Sequence, residues 1–291
     1  PGGRPLPPAG GVQSPVRTAR AGAPREHPTA RAPDAHPHWR PLRPLASPGL
    51  PASSTPRVEL ERLRAELDNA HPFIAENGAA TYIPVGYFHS QPKGTVARDA
   101  YWIHELSPPR ATWLDVLEKL EGDFPGSFDY FHRAGTEGIM RMTNLPRERA
   151  EEANRREYSE PVKWYGDDRE REVFLARLAE AGALVLQGGR FLSVGGDCDK
   201  GRALAWLKDT YRQARSAQAC HDIAIGDSRN DCAMLEAAET ALLIRSTVHE
   251  FPALARTEGV FRSEDYGPAG WAEGVARWLH QQHLQDRENR G

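Results

Sequence analysis

Apolar and polar positions change regime near residue 57. Downstream of that point they recur with the 3.6-residue period of a helix face or in short apolar runs of strand length, which sort the chain into elements. Helices are expected over 58–67 (VELERLRAEL), 111–122, 146–158, 168–182, 200–213, 230–238 and 270–283. Pro146 stands near the start of the third, and Gly122 and Gly182 stop the second and fourth. Over 200–213 the apolar residues fall at 203, 204, 207 and 211, one helix face. Strands are expected over 81–88 and 240–246, with a short buried one over 221–227. Residues 184–187 and 190–194 read as a hairpin around Gly188-Gly189. Strands that alternate with helices predict an α/β fold built on a parallel sheet. No internal repeat is present.

Upstream the pattern is lost. Residues 1–57 hold 14 of the 24 prolines, no Ile, Phe, Tyr, Met or Lys, and only two carboxylates, Glu26 and Asp34. Such a stretch has too little to bury and too few ladder donors for a central strand, so it is expected to be disordered. The chain begins at Pro1 rather than Met, which leaves room for residues before it.

The formal net charge of −3 over 291 residues argues against a nucleic-acid or membrane-surface partner. Cys198, Cys220 and Cys232 match no zinc spacing and are too few for a disulfide scaffold, so a reducing cytoplasm is expected. No apolar run approaches the roughly 20 residues of a membrane span, and no signal-peptide core is seen.

The chemistry concentrates in Gly226-Asp227-Ser228-Arg229-Asn230-Asp231. This turn follows the apolar DIAI strand, so it lies at a carboxyl end, where open α/β sheets bind ligands. Two carboxylates and a carboxamide make a hard oxygen set suited to Mg²⁺. The turn equally reads as a helix entry with Asp227 or Ser228 as N-cap. Lys200 opens the helix one βα unit earlier, where an ammonium can neutralise a phosphoryl group. Alone it reads more readily as a solvated first-turn lysine capped by Asp199; lysine, helix, strand and acidic turn together are more specific than either part. IAENGAA (74–80) marks a strand end or a simple Asn-Gly turn. Arg156 and Arg190 could grip an oxyanion in two-pronged fashion or sit on the surface.

These stretches, with NLPRERAEEANRREYSEP, QGGRFLSVGG and YGPAGW, resemble the mannosyl-3-phosphoglycerate phosphatase group of the haloacid-dehalogenase superfamily, which carries a class IIB cap. The resemblance runs from about Ser53 to about Leu279. It implies a Rossmann-like core over 53–83 and 191–291, with a cap over 84–190 and residues 1–52 outside both. It implies that Asp227, Asn230 and Asp231 hold Mg²⁺ and that Lys200 is catalytic. It implies phosphate binding by Ser53, and substrate binding by Glu76, Asn77, Gly78, Arg156, Glu157, Gln187, Gly188, Gly189 and Arg190. The implied reaction removes phosphate from 2-O-mannosyl-3-phosphoglycerate, a small glycosyl-glycerate substrate, to give mannosylglycerate. Glucosyl-3-phosphoglycerate or another sugar phosphate is the alternative substrate; a non-catalytic binding protein is the alternative role.

One departure stands out. The family begins with an Asp-x-Asp motif after an apolar strand, whose first Asp attacks phosphorus, and upstream of Val58 it has no counterpart. Asp34 in PDAHP has no strand before it, and Ser53-Ser54-Thr55 resembles the next motif without its lysine. A GC-rich gene read out of frame across residues 1–57 would produce this composition. The expectation is a protein that lacks core strands and folds poorly.

Overall fold

A computed structural model describes residues 49–214 and 221–288, with side chains up to residue 282. Most of the Pro-rich segment (1–48, with Asp34) and Cys220 lie outside the described residues.

Three sheets organise the chain. The first contains β1 (Phe73–Ala75), β2 (Ala80–Pro84), β3 (Val96–Arg98) and β4 (Tyr101–Glu105), in the order β1-β2-β4-β3 and antiparallel throughout. Antiparallel pairing is forced between β1 and β2, because only residues 76–79 join them and a parallel return needs a crossover of a dozen residues. Strand alternation divides its faces. Phe73, Tyr82 and Ile103 pack on α1 (Arg57–Glu66) through Leu60. Ile83 and Trp102 pack on Leu207 and Tyr211 of α6 (Lys200–Ala214).

The second sheet has the order β5-β6-β8-β7, built from β5 (Phe128–Tyr130), β6 (Glu160–Trp164), β7 (Leu184–Gln187) and β8 (Leu192–Gly195). Its core joins Trp113 and Leu117 of α2 (Arg110–Leu120) to Phe174 and Leu178 of α5 (Asp168–Glu180) across Phe128, Val162 and Val194. A further cluster links α3 (Phe131–Thr143) and α4 (Arg147–Asn154) through Ile139 and Ala150.

The third sheet is parallel, β11-β10-β9, with β9 (Ile223–Gly226), β10 (Thr240–Arg245) and β11 (Val260–Tyr266). β10 is buried on both faces, as parallel strands are. Ala241 and Leu243 face α6 and α7 (Cys232–Ala237). Leu242 and Ile244 face Val275 of α8 (Gly267–Glu288). The fold is therefore α/β, as expected, with one parallel sheet; the other two are antiparallel, and the second contains the expected hairpin of β7 and β8.

The structure also corrects the reading of residues 49–57 as unstructured. Ala52 bridges Ile74 in parallel, and Ser53 N donates to Ile74 O at 3.0 Å. Local composition hid this, because the partner is β1, which supplies the apolar surface. The expected boundary at 83/84 falls at the end of β2, inside the first sheet, and the one at 190/191 falls between the paired strands β7 and β8.

Candidate functional site

The acidic turn begins where β9 ends. Gly226 is there for room: a Cβ on it would lie 2.5 Å from the Cβ of Asp231. Its φ is not in the left-handed region, so close approach is what its lack of a side chain permits. Ser228 caps the short helical turn Arg229–Asp231 with a reciprocal capping box. Asp231 Oδ2 accepts from Ser228 Oγ at 3.0 Å and from the amides of Asp227 and Ser228, each at 3.3 Å. Asn230 Oδ1 accepts from Ser228 Oγ. The helix-entry reading is thus realised, with Ser228 as the cap.

The other Asp231 oxygen serves a different partner. Lys200 Nζ donates to Oδ1 at 2.8 Å. Lys200 is 4 % exposed, so the alternative of a solvated lysine is excluded, although Asp199 does cap its helix by accepting from Arg202 N at 2.8 Å. Burial makes this pair rigid, since each ion would be stranded without the other. Asp227 differs: among the described residues its half-buried carboxylate has no hydrogen bond or ion pair. No group of three or more His, Cys, Asp or Glu converges as metal ligands would, again among the described residues.

The Glu76–Gly78 turn abuts Lys200. Gly78 has φ +97°, and a Cβ on it would stand 2.2 Å from Asp199 O. Only glycine meets both demands. Asn77 N donates to Ser53 O at 3.0 Å, which brings Ser53 to the same place; Ser53 Oγ accepts from Thr55 N at 3.2 Å.

Glu76 turns away from Lys200 toward the 156–159 loop and is 1 % exposed. Its carboxylate accepts from the amides of Glu157 (2.8 Å), Tyr158 (3.2 Å) and Ser159 (2.8 Å), and from Ser159 Oγ (2.6 Å). Consecutive amides aimed at one anion form a nest. Arg156 lies 3.9 Å from Glu76 Oε2 and donates to Ser54 O at 3.1 Å. Glu157 accepts from Arg57 Nε at 2.8 Å and from the Tyr82 hydroxyl at 2.9 Å. Burial, reinforced by Glu157, pushes the Tyr82 hydroxyl far above the usual phenol range. Arg57, Tyr82 and Ser159 were not foreseen; only the EYSEP run marked their neighbourhood. Asn77 Oδ1 is buried without a partner and lines a cavity of about 10 Å³, the size of one water, with Ser107, Ser159, Leu186 and Cys198. Burial pushes the Cys198 thiol up to about 12.

The 187–190 turn stands apart. Gln187 accepts from Arg171, and Arg190 reaches Thr143 O at 3.4 Å. Among the described residues no hydrogen bond or ion pair joins Gln187, Gly188, Gly189 or Arg190 to Lys200, Asp231 or Glu76. Hydrogen bonds and close approaches thus link Ser53, Glu76, Asn77, Gly78, Arg156, Glu157, Lys200 and Asp231, with Asp227 and Asn230 in the turn that ends at Asp231, and the hairpin tip has no hydrogen bond to this set among the described residues.

No family model matches the chain. A mannosyl-3-phosphoglycerate phosphatase of Pyrococcus horikoshii is 36 % identical over 198 residues, 68 % of this chain and 77 % of that protein. A glucosyl-3-phosphoglycerate/mannosyl-3-phosphoglycerate phosphatase of Persephonella marina is 30 % identical over 254 residues, 85 % and 90 % of the two chains. A solved structure from Thermoplasma acidophilum shares the fold with a TM-score of 0.56 at 14 % identity, covering 85 % of this chain and 89 % of that one. One from Streptococcus mutans does so with a TM-score of 0.53 at 17 % identity, over 84 % and 90 %.

Proposed function

The chain belongs to the mannosyl-3-phosphoglycerate phosphatase family, and from that premise we propose that its acidic turn forms a Mg²⁺-dependent phosphomonoester pocket for 2-O-mannosyl-3-phosphoglycerate. The observation that carries this reading is the buried Lys200–Asp231 pair at 2.8 Å beside the unpartnered Asp227. The residues suit the ion: Mg²⁺ needs only one or two carboxylates when a substrate phosphate supplies further oxygens. Asp227 would hold it, with Asn230 and Asp231 beside it. When bound, the ion neutralises charge on phosphoryl oxygens.

The chain's own groups do the rest. Asp231 fixes the Lys200 ammonium where it can meet a phosphoryl oxygen. Ser53 offers a hydroxyl to the same group. Glu76 takes no part in binding: its carboxylate is occupied by the 156–159 amides, and it holds Arg156 and Glu157 against the Ser53 segment. On this reading Arg156 and Glu157 position the pocket. We place the region 84–190, with its Gln187–Arg190 tip, as the cap over that pocket.

No Asp-x-Asp stands on a strand ahead of the core, where the attacking pair belongs; Asp197-Cys198-Asp199 has the spacing, but Asp199 caps α6 and Asp197 pairs with Arg202. The chain as written is therefore expected to bind Mg²⁺ and the glycosyl-phosphoglycerate without releasing phosphate. Calorimetric titration with each, alongside a phosphate-release assay, tests this. Absence of Mg²⁺ binding would sink the pocket; Mg²⁺-dependent release would show that another carboxylate makes the attack. Glucosyl-3-phosphoglycerate is the second substrate to assay, since relatives from Methanococcoides burtonii and Persephonella marina carry both substrates in their names.

A further inference from the structure

A second cleft opens on the same carboxyl edge of the parallel sheet. Its volume is about 290 Å³, and it is lined by Arg245, Ser246, His249, Glu250, Phe251 and Tyr266. It shares no residue with the Lys200–Asp231 site. Its place follows from the register: Leu243 of β10 is opposite Gly226 of β9, and Arg245 is opposite Tyr266 of β11. Each strand steps about 4.8 Å along the sheet. The cleft thus begins one strand beyond the acidic turn, in the zone where parallel sheets take ligands.

Its groups have one chemistry in common. Among the described residues the Arg245 guanidinium has no carboxylate partner; it lies over the Tyr266 ring, 5.5 Å from the centroid. A stacked guanidinium keeps its N–H fork free for two oxygens. The backbone amide of Arg245 donates to Ser263 Oγ at 2.9 Å, and Ser263, 3 % exposed, donates on to Asp265 O at 2.7 Å. The base of the arginine is therefore fixed while its head is exposed. His249 offers an imidazole and Ser246 a hydroxyl at the same mouth. Behind Phe251 a second guanidinium, Arg262, stacks 5.8 Å from the ring centroid. Glu250 is the one opposing charge in the lining. The cleft also accounts for the start of the YGPAGW run: Tyr266 forms its wall and the following residues begin α8.

We propose that this cleft is a separate site for a small oxyanion, a phosphoryl or carboxylate group on a compact metabolite, gripped by Arg245 with His249 and Ser246 and covered by the Tyr266 ring. The volume leaves room for a short organic part beside the oxyanion. The proposal does not rest on the phosphatase reading, because none of its residues belongs to that pocket.

The test is calorimetric titration of the full chain, without metal, using inorganic phosphate and, separately, D-glycerate. Arg245→Gln and His249→Ala are compared with Asp227→Asn. Arg245 is exposed and unpaired, so its thermal unfolding curve is expected to overlay the wild type. The expected result is at least tenfold weaker anion binding in Arg245→Gln, a smaller loss in His249→Ala and none in Asp227→Asn. Tighter binding of phosphate than of glycerate identifies the phosphoryl group as the ligand chemistry; the reverse identifies the carboxylate. Unchanged binding in Arg245→Gln, loss in Asp227→Asn alone, or no binding of either anion by the wild type overturns the proposal.

Discussion

Two turns in this molecule place carboxylates at strand ends, and they treat them in opposite ways. The turn after β1 surrounds Glu76 with four donors, all from a loop about eighty residues away in sequence. The turn after β9 ties down Asp231 with its own amides and Lys200, yet leaves the Asp227 carboxylate without a partner among the described residues. A buried acid whose oxygens are all occupied fixes geometry, because removing it strands its donors. An acid left open at the carboxyl edge of a parallel sheet is available for chemistry. The difference lies in partners rather than in residue type, since motif reading had placed both turns in the site.

Mutations separate the two turns by size of effect. Glu76→Ala is expected to destabilise most, by about 3–5 kcal/mol, against a total stability of roughly 5–15 kcal/mol. Urea denaturation checks it; a loss below about 1 kcal/mol would show that water replaces the carboxylate and that the nest is not a structural anchor. Gly226→Ala comes next, at about 1–3 kcal/mol, because the new methyl meets Asp231. Its second readout is Mg²⁺ affinity, which is expected to fall as Asp231 shifts.

Glu59 gives a smaller, pH-dependent effect. Burial raises its acid group above the ordinary value. A raised carboxyl favours the folded chain only while protonated, so its contribution is lost as pH rises through the folded value. Glu59→Gln is therefore expected to stabilise by under about 1 kcal/mol at pH 7–8 and to lose that advantage toward acid pH. Thermal melts at two pH values decide the sign. Asp227→Asn is expected to change stability least, within about 0.5 kcal/mol, while abolishing Mg²⁺ binding. A large stability change there would erase the contrast between the turns.

The sequence made the acidic turn legible because its determinants are contiguous: apolar strand, glycine, and oxygen donors within six residues. Lys200 was legible as a position but not as a buried one, since its burial comes from the Gly78 turn and Asp231, both distant in sequence. The grip on Glu76 was invisible for the same reason. Several elements escaped for local reasons. α3 carries Gly135 at φ +60° and Gly138, which break a helical pattern. β6 has Pro161 in its interior, a mark of an edge strand, yet it pairs with both β5 and β8. β11 is almost wholly polar after Phe261, and it is held by main-chain pairing to β10.

Cys198 turns the closure of the 76–79 and 156–159 loops into something that can be timed. Its thiol lines the small cavity behind Glu76, is 6 % exposed, and is pushed up to about 12 by burial. At neutral pH almost none of it is thiolate, the form that alkylating reagents capture. Its labelling rate therefore serves as a clock for how often those loops part, and that clock runs whether or not the protein ever meets a substrate.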